Sequence, residues 1–208
     1  MTDAPKKAAA PVDFYFDFSS PYSFLASEQI EPLAARHGRT VVFQPLLLGV
    51  VFKASGSAPL TEQYGPKAKY SVHDFERSAR FAGVRYRHPS KLPIGAVAAS
   101  RAVLWLQQHQ PDRANAFVHA VFRAFFQDDR DISDAAVVAE IAQSLGIDGQ
   151  ALMEGAQAPQ IKDALRKRVE DAVALGVFGA PTIVVDGEMF WGNDRLLQIE
   201  RWLASGPF

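Results

Sequence analysis

Two serines, Ser20 and Ser23, have types and a spacing that suggest chemistry, because they stand three positions apart around Pro21. Dithiol redox proteins carry their two cysteines at this spacing. The chain has 208 residues and no cysteine, so it forms no disulfide and runs no dithiol exchange of its own. Any thiol chemistry at this position therefore needs a sulfur that a ligand brings in.

The position of Ser20 suits such a ligand. Pro21 marks the first turn of a predicted helix that runs to about His37. A thiolate at this helix start would gain ~0.3–1 kcal/mol from the helix dipole. A hydrogen bond donated by Ser20 would add ~1.5–3 kcal/mol, and both effects lower the pKa of a bound thiol. The alternative is that Ser19, Ser20 and Ser23 are only helix caps, which describes Ser23 best.

A second segment, Gly179-Ala180-Pro181-Thr182, lies immediately before a predicted strand. In the thioredoxin architecture a cis-proline at this junction faces the start of the first helix, and residue 180 offers its backbone N–H and C=O to an extended peptide. An ordinary trans proline at a loop-to-strand junction is the alternative, since few X-Pro bonds are cis.

The third segment is Trp191-Gly192-Asn193-Asp194-Arg195. Asn193 or Asp194 is predicted to cap the last helix. The same helix start can also bind one end of a ligand, with backbone N–H groups taking a carboxylate and Asp194 taking an ammonium group. A ligand terminus that carries both charges, such as the γ-glutamyl end of glutathione, fits this arrangement.

The elements that position these segments follow the order β-α-β, a block of helices, then β-β-α. Strands are predicted over Val12–Phe18, Val41–Leu48 and both arms of a hairpin that turns at Asp186-Gly187. Pro45 indicates an edge strand or a strand end. Residues 49–65 are predicted as loop. Helices are predicted at 66–82, 96–108, 114–127, a segment capped by Ser133, 149–154, 160–175 and the C-terminal segment up to about 204.

Composition excludes several classes. The net charge is −1, which gives no indication of a nucleic-acid partner. No apolar run reaches membrane-spanning length, so no membrane contact is expected. Residues 1–11 lack the apolar stretch of a secretory signal and are predicted to be a disordered tail. A cytoplasmic location fits a chain without cysteine, and no metal site is expected.

Together, the stretches Asp13–Ser23, Val177–Thr182 and Trp191–Arg195 resemble the 2-hydroxychromene-2-carboxylate isomerase family and the related kappa-class glutathione transferases. The resemblance covers nearly the whole chain from residue 12. It implies an α/β fold in which residues 12–48 and 176–208 form a thioredoxin-like domain, interrupted by an all-helical insertion over 49–175. It also implies a homodimer that uses glutathione as its cofactor.

By position, Ser20 matches the family's serine that activates the glutathione sulfur, and Ala180 with Pro181 matches the segment that pairs with the cysteinyl backbone. The resemblance assigns glutathione contacts to a further set of residues: Tyr22, Ser57, Lys67, Gly192, Asn193 and Asp194. Lys67 has a plain alternative as a solvated lysine on a helix face.

The chain departs from the family pattern at two places. Ser57 stands where the family often has asparagine, although a serine can still form a hydrogen bond. Gly95 and Ala96 replace two polar positions that line the substrate side in the family, ahead of Arg101. The second departure leaves the substrate open.

The resulting hypothesis is a redox-neutral isomerase that acts on an aromatic carboxylate through reversible addition of a thiol held by Ser20. Lys53, Arg85, Arg87 and Lys91 are candidates for the substrate carboxylate, or else ordinary surface charges. Glutathione transfer to an electrophile or a peroxide is the competing enzymatic hypothesis. A non-catalytic thioredoxin-fold protein that binds peptides is the third.

Overall fold

A computed structural model of the chain describes residues 10–62 and 64–208. Within them, one mixed sheet has the strand order β2-β1-β3-β4. β1 runs parallel to β2 and antiparallel to β3, and β3 forms a hairpin with β4. The strands are β1 (Val12–Phe16), β2 (Val41–Pro45), β3 (Thr182–Val185) and β4 (Glu188–Trp191). The β-α-β opening, the closing hairpin and the edge position of Pro45 are therefore confirmed.

Along the chain, the segment between β2 and β3 is helical, as predicted for a thioredoxin-like fold with a helical insertion. The described residues form nine α-helices: α1 (Pro21–Arg36), α2 (Leu48–Ser55), α3 (Gly65–Ala82), α4 (Val97–His109), α5 (Pro111–Phe126), α6 (Ala135–Ser144), α7 (Gly149–Ala156), α8 (Pro159–Leu175) and α9 (Leu196–Ser205). None of these helices is long and apolar enough to span a membrane. A disordered tail was predicted over residues 1–11, and residues 1–9 of it lie outside the described part of the chain.

Helix α2 contradicts the prediction of a loop over 49–65. Leu48 and Val51 stand one turn apart and are both buried, which gives the segment an apolar helical face. The helix ends at Gly56, whose φ of 70° suits a glycine. Only the region after this glycine is non-helical up to a 3-10 turn at Leu60–Glu62. The Gly, Ser and Pro residues at the end of the segment outweighed its apolar beginning in the prediction.

Both N-terminal strands are shorter than predicted. β1 ends at Phe16 because the Asp17 carboxylate accepts a hydrogen bond from the Ser19 N–H at 2.7 Å and bends the chain into a turn. β2 ends at Pro45, which has no N–H to continue the ladder.

The predicted cap of α6 is wrong. Asp134 caps this helix, because its carboxylate accepts a hydrogen bond from the Ala136 N–H at 2.8 Å. The Ser133 hydroxyl instead donates to Asp131. Helix α5 also begins earlier than predicted, at Pro111, which occupies its first turn.

The predicted cap of the last helix is wrong as well. A 3-10 turn covers Asn193–Arg195 and leads directly into α9. The residue at the N-cap of α9 is Arg195, which has helical backbone angles, and no side chain caps this helix. Because the 3-10 turn continues into the helix, Asn193 and Asp194 are left without the capping role.

The sheet and the helical block share one aromatic core. The Phe16 ring of β1 lies 5.0 Å from Phe18, and Phe18 lies 4.9 Å from Phe122 of α5. All three side chains are fully buried. Edge-to-face contacts of this kind stabilise beyond the area they bury. The strand that leads into Ser20 is thus fixed against the helical block.

A charged cluster also joins α1 to α5. Glu28 of α1 accepts hydrogen bonds from the Arg123 guanidinium at 2.8 and 3.0 Å. His119 of α5 contacts the carboxylates of both Glu28 and Glu31. Asn115 donates to the other oxygen of Glu31 at 2.7 Å. Burial opposes protonation of His119, but the two neighbouring glutamate carboxylates prevail and raise the pKa of the imidazole to about 9.

Candidate active site

Ser20 lies at the N-cap of α1, immediately after the turn made by Asp17 and Ser19. Its hydroxyl accepts a hydrogen bond from the Ser23 N–H at 3.1 Å and donates one to the Ala180 carbonyl, also at 3.1 Å. The residue is only 5% exposed, yet it lines a cavity. Ser20 is therefore both a helix cap and a hydroxyl directed at the loop before β3.

That loop brings the second predicted segment to Ser20. The Ala180–Pro181 peptide bond is cis, and the Pro181 carbonyl accepts a hydrogen bond from the Gly192 N–H at 3.0 Å. The Ala180 N–H donates to no acceptor in the part of the chain that the structure describes. A Cβ added at Gly179 would stand 2.6 Å from the Trp191 indole nitrogen, so only glycine fits there. The loop thus presents one unpaired backbone donor beside Ser20.

The third predicted segment adjoins the second. Gly192 has a φ of 112°, and a Cβ added there would collide with the Asp194 carboxylate. Asp194 also pairs with Arg195 at 2.7 Å. The 3-10 turn packs against α1, and the negative charge of Asp194 is one of the minor causes that raise the pKa of Tyr22. The starts of α1 and of the C-terminal helical segment therefore lie side by side.

A cavity of about 500 Å³ opens at Ser20 and Ala180. Its polar lining comes from the residues near the start of α1 together with Thr61. The rest of the wall is apolar and comes from the β2–α2 connection, α2, α3 and the segment around Gly95 and Ala96. No lysine, arginine or histidine of the described residues lines it. This composition suits a flat apolar ligand.

The family model of the DSBA-like thioredoxin domain matches residues 11–204. The chain belongs to the DsbA-like thioredoxin family. This DsbA-like chain is 34% identical to the 2-hydroxychromene-2-carboxylate isomerase of Sphingobium xenophagum, over 93% of the chain and 98% of that protein. It is 24% identical to the kappa 1 glutathione S-transferase of Homo sapiens over 94% of both chains.

A solved structure of 2-hydroxychromene-2-carboxylate isomerase superposes with a TM-score of 0.84 at 28% identity, covering 93% of the DsbA-like chain and 94% of the other. The predicted family and fold are therefore confirmed. Both relatives carry the names of enzymes, and the named isomerases are more similar to this chain than the named kappa-class transferases.

Asp17 is a site residue that sequence reasoning missed. Its buried carboxylate lines the cavity and accepts hydrogen bonds from the Leu48 N–H at 2.7 Å and from the N–H and hydroxyl of Ser19. Burial raises its pKa, while these donors lower it and leave a net upward shift. The carboxylate therefore ties the Ser20 turn to the start of α2. An acid at the end of a strand before a serine-rich turn was the available signal.

Tyr22 lines the same cavity and is anchored to α3. Its hydroxyl donates to the Asp74 carboxylate at 2.6 Å, and Arg77 pairs with the other oxygen of Asp74. Burial is the main cause that raises the pKa of Tyr22, followed by the hydrogen bond to Asp74. The phenol therefore stays protonated and acts as a wall and an anchor. Phe75, beside Asp74, contacts the Tyr22 ring at 4.9 Å.

Two predicted glutathione contacts lie away from this cavity. Ser57 is exposed after α2, and Lys67 is exposed in the first turn of α3. Neither lines the cavity, and their roles stay predictions. The candidates for a substrate carboxylate also lie outside it: Arg85, Arg87 and Lys91 pair with Asp128, Asp129 and Asp131, and Lys53 is exposed on α2.

Proposed function

We propose that this chain is a glutathione-dependent isomerase that acts on 2-hydroxychromene-2-carboxylate or a similar aromatic-catabolism intermediate. The observation that carries the proposal is the position of the Ser20 hydroxyl. It lies at the start of α1, 3.1 Å from the Ala180 carbonyl, and lines a largely apolar cavity. The similarity to named isomerases over nearly the whole chain supports the same reaction class.

The residues present fit glutathione. The unpaired Ala180 N–H and the neighbouring carbonyl suit an extended peptide backbone, and Asp194 at the adjoining turn suits its ammonium group. Glutathione bound there supplies the thiol that the chain itself lacks. Ser20, Ala180, Pro181, Asn193 and Asp194 are the residues we assign to holding it.

The chain's own part in the reaction is electrostatic and steric. The Ser20 hydroxyl can exchange its hydrogen bond to the Ala180 carbonyl for one to a bound anion, since a hydroxyl rotates freely. The start of α1 stabilises negative charge at the same point. The apolar wall that includes Phe52, Phe75 of α3 and Leu92 excludes water and leaves room for rotation about a substrate bond.

A kappa-class-like glutathione transferase is the second candidate, and one specific observation favours it. No basic side chain of the described residues lines the cavity, and Gly95 and Ala96 contribute no polar side chain there. A substrate without a carboxylate would therefore lose nothing in this cavity. Conjugation to a neutral electrophile, or reduction of a peroxide, would use the same Ser20.

Turnover assays with thiol accounting separate these candidates. With 2-hydroxychromene-2-carboxylate as substrate, we expect conversion that requires glutathione and leaves its concentration unchanged. Stoichiometric loss of glutathione would instead indicate conjugation. Calorimetry in the absence of substrate should detect glutathione binding, and no binding together with no turnover would contradict both candidates.

We further propose that the protein is a homodimer located in the cytoplasm. The absence of cysteine is compatible with a reducing compartment, and the family resemblance supports the dimer. Sedimentation velocity at several protein concentrations tests the dimer directly. A single species with the mass of one 22.8 kDa chain would contradict it.

A further inference from the structure

A second cavity lies on the other side of α2 from the candidate active site. It has a volume of about 470 Å³ and is enclosed by α2, α4 and α8. Leu47 and Val50 line both cavities, so α2 and the residue before it form a wall between them. The two cavities have no catalytic residue in common, since Ser20 and Ala180 belong to the first alone.

The floor of the second cavity is an apolar row along α8. Leu165, Val169 and Val173 recur at steps of four residues and therefore share one helix face. Leu165 and Val169 are almost fully buried. From Lys162 to Val173 the lined face covers eleven residue-to-residue steps, or ~16 Å at ~1.5 Å per step. The cavity is thus elongated along a helix.

Three cationic side chains line this cavity, and two of them stand at the N-terminal end of the α8 row. Lys162 and Arg166 stand one turn apart in the N-terminal half of α8, and Arg101 of α4 joins them in the lining. The Arg101 Nε is buried without a hydrogen-bond partner in the described part of the chain. Arg166 pairs with Asp163 only at the exposed surface. A buried donor without a partner is unfavourable, and an anion would satisfy it.

One negative charge also lines the cavity, Glu170, in the middle of the α8 face. Three cations and one anion line the cavity, and Asp163 outside the lining pairs with Arg166, so a smaller excess of positive charge remains. The C-terminal part of the lining, Val173 and Ala174, carries no charge. The cavity therefore has a cationic end and an apolar end, joined by an apolar floor.

We propose that this second cavity binds an elongated aliphatic monocarboxylate, with its head group near Arg101, Lys162 and Arg166 and its chain along Leu165, Val169 and Val173. The length of the floor favours a chain over a compact ring. The charge excess favours an anion over an alcohol or an amine. This site does not depend on the reaction assigned to Ser20.

Binding of decanoate, measured by calorimetry on the full chain, tests the proposal. Decanol and decylammonium have the same chain without the negative charge, and 2-naphthoate has the charge on a compact body. We expect decanoate to bind at least about fivefold more tightly than each of the other three. Equal binding of decanol would overturn the role of the cations.

Variants locate the site. Replacing Lys162 and Arg166 together with alanine should weaken decanoate binding by about tenfold or more, because each removes a charge partner. Lys167→Ala is the matched control, since Lys167 lies on the same helix, pairs with Asp171 and does not line the cavity. Equal effects of the double variant and the control would overturn the assignment.

A filling variant gives an independent test without a change of charge. Ala174→Trp places a large side chain at the exposed apolar end and should abolish decanoate binding while glutathione affinity is unchanged. If decanoate still binds to Ala174→Trp, it does not occupy the second cavity, and the proposal is overturned. Loss of decanoate binding on saturation with S-hexylglutathione would place decanoate in the first cavity and would also overturn the proposal. A change of oligomeric state in Ala174→Trp, with no decanoate binding to the parent chain, would show a second copy there and also overturn it.

Discussion

The start and the middle of helix α1 differ in how firmly their side chains are bonded to the rest of the molecule. At its start, Ser20 makes single, exchangeable hydrogen bonds, and the neighbouring Ala180 N–H has no described partner. In its middle, Glu28 and Glu31 are engaged by several donors from α5. One helix therefore has a charged anchor and, ~2–3 turns away, hydrogen-bonding capacity left free for a ligand. The difference separates the residues that fix the fold from those that bind.

Ser20→Ala is expected to have the largest effect on activity. Loss of one preorganised donor costs ~10²-fold in turnover, and loss of the cap costs ~1 kcal/mol of stability. Ser23→Ala is the matched control, because the Ser23 hydroxyl is buried on the same helix and has no hydrogen-bond partner among the described residues. Kinetics should be compared below both melting temperatures. Equal turnover in the two variants would remove Ser20 from its assigned role.

His119→Gln should affect stability and leave turnover nearly unchanged. The pKa of His119 is raised in the folded state, so its contribution is complete below the ordinary value of 6.5 and is lost as pH rises through about 9. At ~1.4 kcal/mol per pKa unit, the upper limit of this contribution is on the order of 3–4 kcal/mol. Urea unfolding at several pH values between 6 and 10 measures it.

The variant should flatten the loss of stability that we expect the parent chain to show between pH 6.5 and 9. His73→Gln is the control, since His73 is exposed on α3. If the stability of the parent chain is constant over this pH range, the contact between α1 and α5 does not depend on the charge of His119.

Tyr22→Phe tests whether a residue near the start of α1 serves binding or stability, because Tyr22 lines the cavity and also anchors α1 to α3. Loss of its hydrogen bond to Asp74 should cost ~1 kcal/mol of stability. We expect turnover to fall only a few-fold, because the ring remains in place. Tyr64→Phe, at an exposed tyrosine, should change neither quantity. An effect as large as that of Ser20→Ala would give the phenol a direct catalytic role.

The sequence was sufficient for elements with strong local signals. The Asp186-Gly187 turn, the two strands beside it and the long amphipathic helices are where the patterns predict them. Helix α2 was missed because its apolar face is only two buried residues long and depends on packing against α8. The caps of α6 and α9 were missed because several adjacent polar residues compete, and tertiary context selects among them.

The candidate site was predicted in part. Ser20, Ala180 and Pro181 come together as expected, since their motifs constrain the local backbone. The position of Asp17 in the wall depends on the distant Leu48 N–H, which no local pattern predicts. Ser57 and Lys67 are exposed, and no local pattern places either of them at the cavity.

The contact between Gly179 and Trp191 gives the protein a built-in optical probe. The indole lies against the loop that carries Ala180, is 54% exposed and contacts the Phe178 ring at 4.9 Å. The other two tryptophans are engaged elsewhere, Trp105 by His109 and Trp202 by Phe190. A ligand that docks on this loop should therefore change the emission of one tryptophan selectively, without any label on the chain.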